Sequence, residues 1–118
     1  MKTRLTSIIP RAAMMLLVTL LTSVSAWADD SGNCGEEGDN VTYSYVESTH
    51  TLTISGNGAM DNAYPTPWND YAEHIQTVVI NDGVTTIGDF AFYNCSALTS
   101  VTISASVTTI GVEAFENC

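Results

Sequence analysis

The chain has 118 residues, a formal net charge of −10 and 45% apolar residues, which suits one small domain and is too hydrophobic for a disordered chain. All three basic residues, Lys2, Arg4 and Arg11, lie at the start, and all 13 acidic residues lie from Asp29 onward. A surface without Lys or Arg repels phosphate, so nucleic-acid binding, phosphate-loop chemistry and Schiff-base catalysis are excluded.

Residues 1–28 read as a secretory signal peptide. A basic n-region is followed by the apolar run Ala12–Leu21 and the small-x-small pattern Ala26-Trp27-Ala28. The apolar run is too short for a membrane span, which needs about 20 residues. Cleavage after Ala28 leaves no span. Residues 29–40, acidic and Gly-rich, read as a flexible leader. Cys34 within them reads as a free or intermolecular thiol.

Residues 41–72 read as a hairpin followed by a degenerate first repeat. Val41–Tyr45 alternates as a strand, Glu47–His50 is a polar turn, and Thr51–Ser55 alternates again. The hairpin is expected to cover a sheet edge. Tyr64, Trp68 and Tyr71 are expected to plug the core, because large aromatic residues bury large areas. Sugar stacking on the same three residues is the less favoured reading.

Residues 73–118 hold two 23-residue units. Placing Glu73–Cys95 over Ser96–Cys118 gives 11 identities in 23 positions, where chance gives about one or two. Val78 and Ile80 fall on Val101 and Ile103, Thr85-Thr86-Ile87-Gly88 on Thr108-Thr109-Ile110-Gly111, and Ala91-Phe92 on Ala114-Phe115. Leu52 and Ile54 precede Val78 and Ile80 by 26 positions, so the degenerate unit carries three extra residues. Val78 and Ile80 have strand spacing. Ile87, Ala91, Phe92 and Cys95 have the spacing of one face of a short helix. Each unit thus reads as strand, turn and helical turn, and stacked units bury what no unit can bury alone.

The run Leu98-x-x-Val101-x-Ile103-x-x-x-Val107-x-x-Ile110-Gly111-x-x-Ala114-Phe115-x-x-Cys118 resembles the BspA-like, or Treponema-type, leucine-rich repeats. Pro-Trp-Asn-Asp-Tyr at 67–71 is similar to segments that precede such arrays. One departure is local: Asn81 and Ser104 stand where many family units carry Pro. The resemblance implies an α/β repeat fold. It would be a solenoid with a parallel sheet on the concave face, short helical turns opposite and an N-terminal β-hairpin cap. It also implies an exported bacterial surface protein that binds host matrix proteins, host cells or other bacteria, and it attributes no catalytic residue to the repeat.

Residue chemistry adds little to that. Cys95 and Cys118 stand one period apart, close enough for a disulfide. Equivalent side chains of stacked units point the same way, however, which favours buried free thiols. His50 and His74 have no Ser or Cys at motif spacing. No catalytic, cofactor-binding or metal-binding residue is assigned. Strand alternation aims Thr53, Thr77, Val79, Ser100 and Thr102 outward, which makes them the candidate ligand face on the concave side. A spacer array, or a repeat segment of a longer extracellular enzyme, is the alternative. The register calls for another strand after Cys118. The chain therefore reads as a truncated array whose Ile103, Ile110 and Phe115 line an open end prone to self-association.

Overall fold

The structure is a computed structural model and describes residues 29–118; the signal-peptide segment lies outside the described residues. Strands β1 (Asp30–Gly35), β2 (Gly38–Val46) and β3 (Thr51–Gly56) are followed by β4 (Gly58–Ala59) and a 3-10 helix at Asn69–His74. Strands β5 (Thr77–Ile80), β6 (Val84–Ile87), β7 (Ser100–Ile103) and β8 (Thr109–Ile110) complete the order. They form a five-stranded sheet, β1-β2-β3-β5-β7, and a three-stranded sheet, β4-β6-β8.

The register follows the sequence repeat. Strand β3 pairs parallel with β5 as Leu52↔Val78 and Ile54↔Ile80, and β5 pairs parallel with β7 as Val78↔Val101 and Ile80↔Ile103. A one-residue slip would turn every apolar side chain to the other face, so the pattern fixes the pairing. Strands β2 and β3 form the expected antiparallel hairpin, with Tyr43 opposite Ile54 and Tyr45 opposite Leu52.

Three expectations are corrected, two of them in the backbone. Residues 29–40 are not a flexible leader: Asp30–Gly35 is strand β1, antiparallel to β2, with Cys34 only 7% exposed. The acidic and glycine residues that suggested disorder have structural partners. Asp30 accepts hydrogen bonds from the Tyr43 and Tyr71 hydroxyls at 3.2 and 2.6 Å. Gly32 faces the Tyr43 ring, where a Cβ would press at 3.1 Å. The Cys34 carbonyl accepts from the Asp61 N–H, and the Glu36 N–H donates to the Ala59 carbonyl.

The second correction concerns the helical turns. Residues 88–95 and 111–118 form successive tight turns, without helix. Phe90, Phe92 and Asn94 donate their N–H groups to the carbonyls of Val112, Ala114 and Glu116 in the next unit. The intervening Ala91, Tyr93 and Cys95 bond back to Gly88, Phe90 and Phe92. Phe90 and Asn94 take positive φ values of 57° and 64°, and their repeat equivalents Glu113 and Asn117 take 55° and 62°. Left-handed residues stop an α-helix. The helical spacing therefore identified the buried residues Ala91, Phe92 and Cys95 while misreading the backbone that presents them. Gly88 and Gly111 are needed for close approach between units: a Cβ would meet the Asp61 carbonyl oxygen in one case and Asp89 in the other.

Both sheets contribute to one core. Trp68, 1% exposed, lies 5.8 Å from Phe92 in a stacked arrangement, and Phe92 stacks on Phe115 at 5.3 Å. Tyr71 stacks on Tyr45 at 4.4 Å. Tyr64 takes no part in the core and is 47% exposed, contrary to its expected place in the plug. It sits in a Pro-flanked loop that passes outside the wall of turns, against Phe90 and Tyr93. In the last unit Val101, Ile103 and Ile110 are 37, 40 and 52% exposed, whereas Val78, Ile80 and Ile87 are 0, 2 and 0%. Phe115 is half-buried beneath Phe92.

These differences set a stability pattern for residues 29–118. Phe92→Ala should cost about 3–5 kcal/mol and Ile87→Ala about 2–5 kcal/mol, because both leave cavities in packed surroundings. Ile110→Ala and Phe90→Ala should cost far less, since both side chains are partly solvated. Denaturant melts of the four variants check this, and equal losses at Ile87 and Ile110 would contradict the burial difference.

Candidate functional site

The five expected face residues come together. Thr53, Val79 and Thr102 are register partners across β3, β5 and β7, and Thr77 and Ser100 are partners in the adjacent row. Their neighbours in sequence, Leu52, Ile54, Val78 and Ile80, point into the core, so alternation places all five on the opposite face. Pairing extends that face beyond the five. Ser44 lies opposite Thr53 and Ser31 opposite Ser44, which continues the row Ser31-Ser44-Thr53-Val79-Thr102 across all five strands. Val46 and Thr51 extend the Thr77-Ser100 row, and Asn33, Thr42 and Ser55 form a third. Thr42 and Ser44 were legible from the alternation of β2. Ser31 and Asn33 were not, because their strand read as a leader.

The face is flat in chemistry as well as in register. Its rows carry hydroxyls, the amide of Asn33 and two valines, and no charge. Neighbouring strands stand about 4.8 Å apart, so the hydroxyls form a regular array in which each can donate and accept. Some hydroxyls are used within the chain: on the face Thr51 donates to the Thr49 carbonyl at 3.2 Å, and in the turns three do the same. Thr99 and Thr108 bond the Gln76 and Thr85 carbonyls at 3.3 Å, and Ser106 bonds the Val84 carbonyl at 2.7 Å. At the edge of the face Asn81 donates to Ser55 at 2.9 Å.

The thiols are free. Burial, reinforced by the Asp61 carboxylate, pushes Cys34 up to about 12, and burial with Cys118 nearby does the same to Cys95. Such thiols stay protonated at neutral pH and are poor nucleophiles and metal ligands. Cys118 is exposed and donates to the Phe92 carbonyl at 3.3 Å. Burial and the hydrogen bond to Glu47 raise the Tyr45 phenol, and burial with the Asp30 carboxylate raises Tyr71, so both remain donors in the packed cluster. His50 and His74 both approach Glu47, at 3.7 and 3.9 Å, across the hairpin turn. Among the described residues no helix is long and apolar enough to cross a membrane.

In-register parallel strands recurring every 23 residues, with a wall of tight turns closing each unit, define a leucine-rich repeat architecture. Residues 70–118 match the family model described as BspA type leucine rich repeat region (6 copies). The structure is similar to the crystal structure of a leucine-rich repeat protein from Eubacterium ventriosum, with a TM-score of 0.66 and 32% identity over 75% of this chain. The chain spans 24% of that protein. No curated protein matches. The 70–118 segment is thus similar to BspA-type leucine-rich repeat regions, and the fold of residues 29–118 is similar to that of a bacterial leucine-rich repeat protein.

Thiol accessibility gives a direct check on β1. At mildly alkaline pH iodoacetamide should modify Cys118 readily and leave Cys34 and Cys95 protected until the protein is denatured. Peptide mass mapping reads the order, and rapid labelling of Cys34 would mean that β1 is not packed.

Proposed function

We propose that this chain is an exported bacterial adhesion module that binds a protein ligand through the outer face of its five-stranded sheet. In this reading the units belong to a solenoid, the hydroxyl-rich face is its concave side, and the β1–β3 segment caps its first edge. One observation carries the proposal. The face is a continuous uncharged array across five strands of a region whose only charged side chains, apart from histidine, are acidic. Extended repeat faces commonly serve as binding surfaces, and protein interfaces are depleted of charge at their centres. The family match supports a protein-interaction role. The basic, apolar and small-x-small segments of residues 1–28 support export. Host matrix proteins, host cells and other bacterial surfaces are the ligand classes proposed.

Immobilised matrix proteins and intact cells provide the test. A Thr53→Glu, Val79→Glu pair places two carboxylates on the central row, where side chains are only half-buried, so the fold should persist. Binding should fall at least about tenfold, or about 1.4 kcal/mol. Binding unchanged by the pair would move the ligand site elsewhere. No binding to any of these surfaces would favour a spacer role.

The exposed Val101, Ile103 and Ile110 form an apolar edge on strands β7 and β8, each paired on one side only among the described residues, and open edges recruit further strands. Residues 29–118 in isolation should self-associate through that edge. Sedimentation should show dimers or larger species, with Ile103→Lys and Ile110→Lys restoring the monomer. A monomer without these substitutions would contradict the proposal.

A further inference from the structure

The outer wall of turns carries a feature that the repeat does not explain. Phe90 and Tyr93 occupy positions held in the next unit by Glu113 and Glu116. Both sit outside the core, half-buried, whereas Glu113 and Glu116 are exposed. Tyr64 packs against both from the Pro-flanked loop, at 5.7 Å between ring centres in each case, and Phe90 and Tyr93 are themselves 5.7 Å apart. The trio thus holds Tyr64 in place while nearly half of it stays in solvent.

Tyr64 is also one wall of a cleft of about 290 Å³. Apart from Ala72 the rest of the lining is polar: Asn69, Asp70, Glu73 and His74 of the 3-10 helix segment, and Asn94. Asn94 is held by its left-handed backbone and by the hydrogen bond its side-chain oxygen accepts from Asn117 at 3.0 Å. Its amide NH2 is left as a donor. An anchored aromatic ring beside convergent amides and carboxylates combines an apolar platform with hydrogen-bonding groups of both senses. A sugar ring presents the matching surfaces, with C–H groups on one face and hydroxyls around the edge. No Lys or Arg lines the cleft and the carboxylates Asp70 and Glu73 do, so sialylated, sulfated and phosphorylated sugars are disfavoured.

We propose that this cleft is a binding site for a neutral pyranose unit of a glycan. Tyr64 would stack on the ring, and Asn69, Asp70, Glu73 and Asn94 would take the hydroxyls. The site lies on the wall of turns, apart from the sheet face proposed for protein binding, and the two stand or fall separately.

The full chain, isotopically labelled, should be titrated with neutral oligosaccharides built from glucose, mannose, galactose and N-acetylglucosamine, and with a lysine-rich peptide. At least one saccharide should shift the amide signals of Asn69, Asp70, Glu73 and Asn94 saturably. Tyr64→Leu retains apolar cover on Phe90 and Tyr93 but removes the flat ring, and should weaken that binding about tenfold or more. Tyr93→Leu should weaken it less, with both variants checked by thermal melts. Glu73→Gln should also weaken saccharide binding, several-fold, because one carboxylate oxygen acceptor is replaced by an NH2 donor. Absence of shifts with every saccharide would overturn the proposal. So would shifts confined to other residues, or binding untouched by Tyr64→Leu. Binding of the lysine-rich peptide alone, lost in Glu73→Gln, would assign the cleft to a basic peptide.

Discussion

The buried indole of Trp68 joins the two parts of the molecule. Its N–H donates to the Ala91 carbonyl at 2.8 Å, its ring stacks on Phe92, and its edge meets Tyr43 of β2 at 5.3 Å. An indole N–H in a dry core must find an acceptor, or its desolvation cost is uncompensated. The Ala91 carbonyl can serve because the residues around it form turns, whereas an α-helix interior would have used it. The misread helical turns and the buried tryptophan are thus linked. Phe92 passes the contact on to Phe115, so one aromatic column runs from the hairpin side through both repeat units.

Much of this organisation could be read from side-chain spacing, because spacing decides burial. The 23-residue alignment set the pairing of Val78 with Val101, and the 26-residue offset set Leu52 opposite Val78. Backbone conformation was less legible. Ile87, Ala91, Phe92 and Cys95 fit a helix face, yet the hydrogen bonds run between units and the φ values at Phe90 and Asn94 are left-handed. A bulky Phe in that region gives no warning in sequence; Asn94 does, since Asn tolerates it. The β1 strand was hidden for another reason. Its inward positions are Gly32 and Cys34, small residues that make no apolar alternation, and its acidic Asp30 is paired with two tyrosines distant in sequence.

The candidate sites divide in the same way. The outward threonines follow from alternation alone, and only pairing with β1 and β2 showed that the array spans five strands. The cleft by Tyr64 required three dimensions, because a loop brings that ring to two positions where the repeat departs from its own pattern. In a repeat protein, outward positions are free to vary once the inward ones are satisfied, and both surfaces draw on that freedom. The fold supplies the shape, and function depends on what the outer positions carry.

Residue-level amide hydrogen exchange tests most directly whether residues 29–118 form one packed unit joined through Trp68. Amides of β1, β2, β5 and Phe92 should be protected together and lose protection in one cooperative opening. Amides around Ile110–Glu113, where the side chains of Ile110, Val112 and Glu113 are exposed, should exchange faster. Exchange of Ser31–Cys34 at the rate of a free coil, with the repeat still protected, would contradict the joined core.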